Sequence, residues 1–225
     1  MTVVAPAPAV DHVLDRVLLG DCVERMRAMS AGSVDFVLTD PPYLVRYRDR
    51  SGRSLLNDDS DAWLEPAFAQ MYRLLKPDSF LVSFYGWDAV DRFVGAWRDA
   101  GFQIAGHIVF GKPYASSIGY LERRHEQAYL LVKGRPRRPV CPLPDVLGWS
   151  YTGNRLHPTQ KPVSILKPLI ESFSAPGGTV LDPFCGSGST LAAAHSLGRR
   201  FVGMELDPVH HRTASERLGC PPEMV

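Results

Sequence analysis

The chain has 225 residues, 45% of them hydrophobic, and a formal net charge of +1 at pH 7. That size can bury a full core, expected as one domain over residues 1–225 with a small embellishment, and a near-neutral charge neither demands nor excludes a nucleic-acid partner. No apolar run approaches the ~18 residues of a membrane span, which excludes an integral membrane helix.

Four cysteines, Cys22, Cys141, Cys185 and Cys220, lie far apart without a C-x-x-C pair, so a zinc site is not expected. Structural disulfides are equally unexpected in a chain this long, and a reducing, cytoplasmic setting follows. Met1 to Val10 is Ala/Pro-rich without a basic start, which reads as a loose arm and not as a signal peptide.

Val13 to Leu19 is the first expected strand, followed by Gly20-Asp21-Cys22 and a helix over 23–29. Asp21 reads equally as the N-cap of that helix or as a carboxylate lining a ligand crevice at a strand end. Ser33 to Thr39, rich in β-branched and aromatic residues, predicts a buried strand that runs into Asp40-Pro41-Pro42-Tyr43. Two prolines make such a loop rigid, and having no N–H they leave its carbonyls free to accept. With the Asp40 carboxylate and the Tyr43 ring, the loop suits a planar ring bearing an exocyclic amine. A plain strand-ending turn is the alternative.

Residues 44–61 show little periodicity and many charges, including Arg46 and Arg48 around Tyr47. Basic and aromatic residues in a long loop beside a candidate site suit a phosphate backbone, although solvated surface is the commoner use. Helices are expected over 63–75 and 89–100, with strands at 80–84, 107–110 and 127–132. The loop from Gly111 to Glu126 carries Arg123 and Arg124. Residues 134–156 form a Pro/Gly-rich basic insert with Arg135, Arg137 and Arg138, read as a candidate DNA-recognition segment or as a flexible crossover.

Regularity returns at His157-Pro158-Thr159-Gln160-Lys161-Pro162, ahead of a helix over 163–173. Thr179 to Leu181 is a strand entering Asp182-Pro183-Phe184-Cys185-Gly186-Ser187-Gly188. A helix over 191–197, a strand over 201–204 ending in Glu205, and a helix over 208–218 complete the chain. Strand, glycine-rich turn, helix, strand and acidic residue is an arrangement that holds a nucleoside-bearing cofactor. The turn lacks the third glycine of a dinucleotide motif, since Leu191 stands there, and the lysine of a P-loop.

Together, Asp40-Pro41-Pro42-Tyr43, His157 to Pro162 and Asp182 to Gly188 resemble the S-adenosylmethionine-dependent DNA amino-methyltransferases. The catalytic motif precedes the cofactor motif, as in the circularly permuted beta group. The resemblance implies an α/β, Rossmann-like, seven-stranded and mostly parallel sheet with helices on both faces and one antiparallel strand. It implies that Phe184, Gly186 and Gly188 line the cofactor pocket and that Glu205 holds the ribose. Asp21 would lie near the adenine, and Thr159 and Lys161 at the methionine end. Cys22, Asp40, Asp182 and Ser187 complete the expected cofactor set.

Asp40, Pro41, Pro42 and Tyr43 would serve the target base, and Arg46, Arg48, Arg123, Arg124, Arg135, Arg137 and Arg138 the DNA. A short insert leaves room for recognition shared across a homodimer. An exocyclic nitrogen is a poor nucleophile because its lone pair is delocalised. Acceptors at Asp40 and the Pro41 carbonyl would aim that lone pair, and Tyr43 would stack on a base flipped from the duplex. Transfer would be direct, with no enzyme nucleophile and no metal. Adenine N6 is the leading target and cytosine N4 the nearest rival. A catalytically silent nucleic-acid-binding partner and methylation of RNA or protein are weaker alternatives.

Overall fold

The computed structural model describes residues 13–44, 59–150 and 160–220. Strand β1 (Arg16–Leu19) begins three residues later than its apolar pattern predicts. Asp15 sits at φ 58, and its carboxylate accepts from the Phe201 amide at 3.1 Å and pairs with Arg200, which delays the strand. Helix α1 (Cys22–Arg27) starts at Asp21, whose Oδ1 accepts from the Val23 and Glu24 amides at 2.9 and 3.0 Å. Such a cap satisfies amides that the helix itself leaves open.

Strand β2 (Val34–Thr39) is followed by helix α2 (Leu64–Leu74), strand β3 (Leu75–Phe84), a 3-10 turn (Trp87–Ala89) and helix α3 (Val90–Asp99). Strands β4 (Gln103–Gly111) and β5 (His125–Lys133) form a long hairpin, and β6 (Val146–Gly148) is a three-residue strand. Helix α4 (Val163–Phe173), strand β7 (Thr179–Asp182), helix α5 (Ser189–Ser196), strand β8 (Arg200–Glu205) and helix α6 (Pro208–Leu218) close the described chain. Helix α6 has Asp207 as N-cap, Pro208 in its first turn and Gly219 in the left-handed conformation at its end.

All eight strands join one sheet in the order β1-β8-β7-β2-β3-β5-β4-β6. Every pairing is parallel except the two made by β5. The expected single antiparallel strand is therefore β5, but among the described residues the sheet has eight strands, not seven. The extra one, β6, lies inside the 134–156 insert and pairs with the last three residues of β4. Three residues are too few for alternation to register, so neighbouring prolines and glycines dominate the sequence signal there.

Along β2, Val37 faces one helical layer while Phe36 and Leu38 face the other. The first layer packs Met26, Phe68, Met71, Phe93 and Trp97 from α1, α2 and α3. The second packs Leu166, Leu169 and Ile170 of α4 with Leu191, Ala193, Ala194 and Ala214 of α5 and α6. Burial on both faces accounts for near-continuous apolar strands such as β2 and β7. Each fully buried Phe or Leu contributes on the order of 1.5–3 kcal/mol. Among the described residues, no helix is long and apolar enough to cross a membrane.

Candidate active site

Five parallel strands, β1, β8, β7, β2 and β3, finish at one edge of the sheet. From β7 the chain moves through α5 to β8 on one side, and from β2 through α2 to β3 on the other. The β7–β2 seam is therefore a switch point, where crossovers diverge and leave a crevice beyond the strand ends. The Asp40 loop leaves β2 there, and the Asp182 to Gly188 turn leaves β7. Thr39 donates its hydroxyl to Asp182 Oδ1 at 3.1 Å across the seam.

Within the first loop, the Tyr43 hydroxyl donates to Asp40 Oδ1 at 2.8 Å, and Lys161 Nζ donates to Asp40 Oδ2 at 2.7 Å. The Lys161 ammonium lies 5.2 Å from the centre of the Tyr43 ring and 5.0 Å from that of Phe84, a cation held between two aromatic rings. Gly86, just past β3, closes the back of the loop. A Cβ there would come within 2.4 Å of the Tyr43 carbonyl oxygen, so only glycine fits this approach.

In the second turn, Gly186 and Gly188 take φ 52 and 76, which favours glycine, and Gly188 opens helix α5. Glu205 Oε2 accepts from the Gly186 amide at 2.9 Å, and its Oε1 accepts from the Asp207 amide at 2.8 Å. Phe184 packs edge-on against Trp63, with ring centroids 4.9 Å apart. Positive-φ glycines, an adjoining carboxylate and an aromatic wall make a cradle that fits a nucleoside.

Electrostatics concentrate at the same edge. Burial raises the Asp40 pKa, opposed by the Lys161 ammonium and the two hydrogen bonds that favour the anion. Burial, with the Asp40 and Glu126 charges, also drives the Tyr43 phenol well above its usual value. Asp182, 2% exposed, is pushed up to about 7 by burial, with the Asp40 charge adding to the shift. Burial raises Glu205 as well.

A family profile described as DNA methylase matches residues 34–144 and 142–216. The chain belongs to the N6/N4 DNA methylase family. It is 57% identical over 207 residues to "Putative methylase YubD" of Escherichia coli (strain K12), covering 92% of this chain and 91% of that one. Among solved structures, M1.HpyAVI in complex with SAM superposes with a TM-score of 0.73 at 23% identity, covering 90% of this chain and 98% of that one. PvuII DNA methyltransferase, which is cytosine-N4-specific, superposes with a TM-score of 0.73 at 18% identity, over 89% and 85% of the two chains. These two likenesses place the fold.

Within this DNA methylase fold, Asp40, Pro41, Pro42, Tyr43, Lys161, Asp182, Phe184, Gly186, Ser187, Gly188 and Glu205 fall on the edge shared by β2 and β7. Several of the expected site residues also hold partners within the fold. The Lys161 ammonium is committed to Asp40. Asp182 accepts from the Phe184 amide at 3.2 Å as well as from Thr39, so its carboxylate braces the turn from inside. The Ser187 carbonyl accepts from Arg217 at 3.0 Å. Asp21 caps α1, and the Cys22 side chain belongs to the core, its thiol pushed up to about 12 by burial and then by Asp21. Arg46, Arg48 and Thr159 lie outside the described residues, as do residues 151–156 of the insert.

The basic residues divide between the two edges. Phe84 pairs with Ala128 and Gly111 with His125, so the β4–β5 connection projects past the Asp40 edge. Arg123 stacks over the exposed Trp87 ring at 4.8 Å, and Ile118, Tyr120 and Leu121 stand exposed at the hairpin tip. Arg135, Arg137 and Arg138 follow Lys133, the last residue of β5, which pairs with Ser79, five residues before Phe84 on β3. The eight steps of the nine-residue β5 put roughly 27 Å between the two ends at ~3.4 Å per residue. The structure does not bring these three arginines to Asp40. The Arg135 amide instead donates to Asp78 Oδ1 at 2.7 Å.

The sequence reading missed Thr39, Trp63, Gly86, Lys112 and Glu126. Trp63 and Gly86 lie in or beside helical turns that carry no motif, and Glu126 is a lone acid at the start of a strand. Among the described residues no cluster of His, Cys, Asp and Glu could hold a metal, and all four cysteines are free.

Proposed function

We propose that the chain transfers a methyl group from S-adenosylmethionine to the N6 amine of adenine in DNA, on a base flipped out of the duplex. The observation that carries this reading is the Thr39–Asp182 seam, which brings an Asp-Pro-Pro-Tyr loop and a glycine turn together on neighbouring strands. Phe184, Gly186, Gly188 and Glu205 would hold the methyl donor, with Trp63 walling the pocket. When bound, that donor supplies an electrophilic methyl sulfonium. Asp40 and the Pro41 carbonyl accept from the amine and turn its lone pair outward. Tyr43 offers its ring face, and Lys161 with Phe84 keeps the loop in place. No side chain need form a covalent bond.

The Asp40 loop precedes the glycine turn in sequence, which supports the circularly permuted, beta-group order and a single methyltransferase domain over the chain. DNA would lie along the edge that carries Arg123, Arg124 and the hairpin tip, since charge and apolar side chains occur together there. Sequencing modified bases in DNA from cells expressing the protein tests the whole reading. N6-methyladenine at a fixed site is the expected outcome. N4-methylcytosine would keep the amine chemistry and correct the base, and unmodified DNA would sink the assignment.

A further inference from the structure

The Lys161 side chain is 7% exposed, so its ammonium is largely stripped of water. The start of α4 sets its position: Pro162 is the N-cap, and its carbonyl accepts from the Ile165 amide at 3.1 Å. From there Nζ donates to Asp40 Oδ2 at 2.7 Å and sits 5.2 and 5.0 Å from the centres of the Tyr43 and Phe84 rings. A brace for the loop needs no charge, and the Tyr43 hydroxyl already supplies a neutral one at 2.8 Å to Oδ1. Burying an ammonium costs solvation that a neutral donor would not lose. What Lys161 adds to the loop is its charge.

The groups facing Asp40 come from each neighbouring element. Tyr43 lies in its own loop, Lys161 precedes α4, Glu126 is on β5 and paired with Lys112, and Asp182 ends β7. Burial and the Glu126 charge favour a protonated Asp40, while the Lys161 charge and the two hydrogen bonds favour the anion. The protonation state decides the sign of the contact with a substrate amine. An ionised carboxylate accepts in about four directions, so the bonds from Tyr43 and Lys161 leave room for an incoming N–H. A protonated Asp40 would carry an O–H that donates toward the amine nitrogen and competes for the lone pair. We propose that Lys161 is a positioning residue that holds Asp40 in its acceptor-only form through methyl transfer, acting by its charge and not by its bulk. This inference rests on the methyltransferase reading above.

The test is the pH profile of single-turnover methyl transfer at saturating cofactor and DNA, for wild type, Lys161→Met, Lys161→Gln and Lys161→Arg. Transfer requires ionised Asp40, so it falls as pH drops through the Asp40 pKa. Loss of the cation raises that pKa, and the acid limb of Lys161→Met and Lys161→Gln should move up by about one to three pH units. Their deficit should be roughly tenfold or more at about pH 6.5 and several-fold smaller by about pH 9. Lys161→Arg keeps the charge, and its limb should lie within about half a unit of wild type.

The same fractional loss at every pH in both neutral variants overturns the proposal and leaves Lys161 as a brace. A loss confined to weaker cofactor binding also overturns it and returns Lys161 to the methionine end of the cofactor. Should neither neutral variant fold, the Asp40 carboxyl is titrated in wild-type protein by carboxyl-carbon NMR, its resonance assigned by its loss in Asp40→Asn. An ionised carboxyl at about pH 7 upholds the proposal, and a protonated one there overturns it. Wild-type protein that methylates no DNA overturns the methyltransferase reading together with this inference. Active wild type with a pH-independent Lys161 deficit overturns this inference alone.

Discussion

The Thr39 hydroxyl reaches Asp182 Oδ1 at 3.1 Å, joining the two loops of the site across neighbouring strands. Asp182 cannot be reached by bulk solvent, and burial pushes its carboxyl from 3.8 up to about 7. The folded protein thus holds this proton more tightly than the unfolded chain does. The contribution to stability is complete below the unfolded value and fades as pH rises through the folded one.

Between about pH 4 and 7, wild-type protein should therefore lose stability relative to Asp182→Asn, by up to about 1.4 kcal/mol per pH unit. Denaturant midpoints of the two proteins, taken without cofactor across that range, check the sign. Parallel curves would mean that Asp182 titrates as an ordinary carboxyl.

Asp40→Ala should cut methyl transfer by at least ~100-fold while sparing cofactor affinity, because the amine loses its acceptor and the glycine turn is untouched. The same change strands the buried Lys161 ammonium, at a cost of about 3 kcal/mol. Adding Lys161→Met should return part of that stability without returning activity. Radiolabel transfer, cofactor calorimetry and thermal unfolding separate the three effects.

Gly86→Ala drives a methyl group into the Tyr43 carbonyl oxygen. The loop must move, so transfer should fall more than about tenfold, with a destabilisation of about 1–3 kcal/mol from overpacking. Cofactor binding should persist, since Glu205 and Gly186 lie across the seam. A fully active Gly86→Ala protein would show that the loop has slack.

Arg123→Ala with Arg124→Ala should weaken DNA binding and lower the salt slope by about 1–2. Replacing Arg135, Arg137 and Arg138 together should change affinity less than about twofold, because those side chains follow the far end of β5. Salt titrations of both variants decide which edge the DNA occupies.

Much of the architecture was legible in residue order. Helices α4 and α6 fall on their predicted spans, 163–173 and 208–218, because apolar spacing and a proline or aspartate at the start mark them locally. The Asp40 loop and the Gly186 turn stand out for the same reason, since each is a short run with unusual backbone demands. β6 was not legible, because its three residues form a strand only through the hydrogen bonds offered by β4.

Sequence alone determined most of the strands and helices, the paired motifs and the family they resemble, since periodicity and turn residues act over a few positions. Tertiary structure alone decided which charges meet. Lys161 crosses 121 positions to reach Asp40, and Glu126 of β5 meets Lys112 from just past the end of β4. Arg135 to Arg138 were drawn away from the site by the direction of a single antiparallel strand. Strand order and direction fix these encounters, and neither is written in any local stretch of the chain.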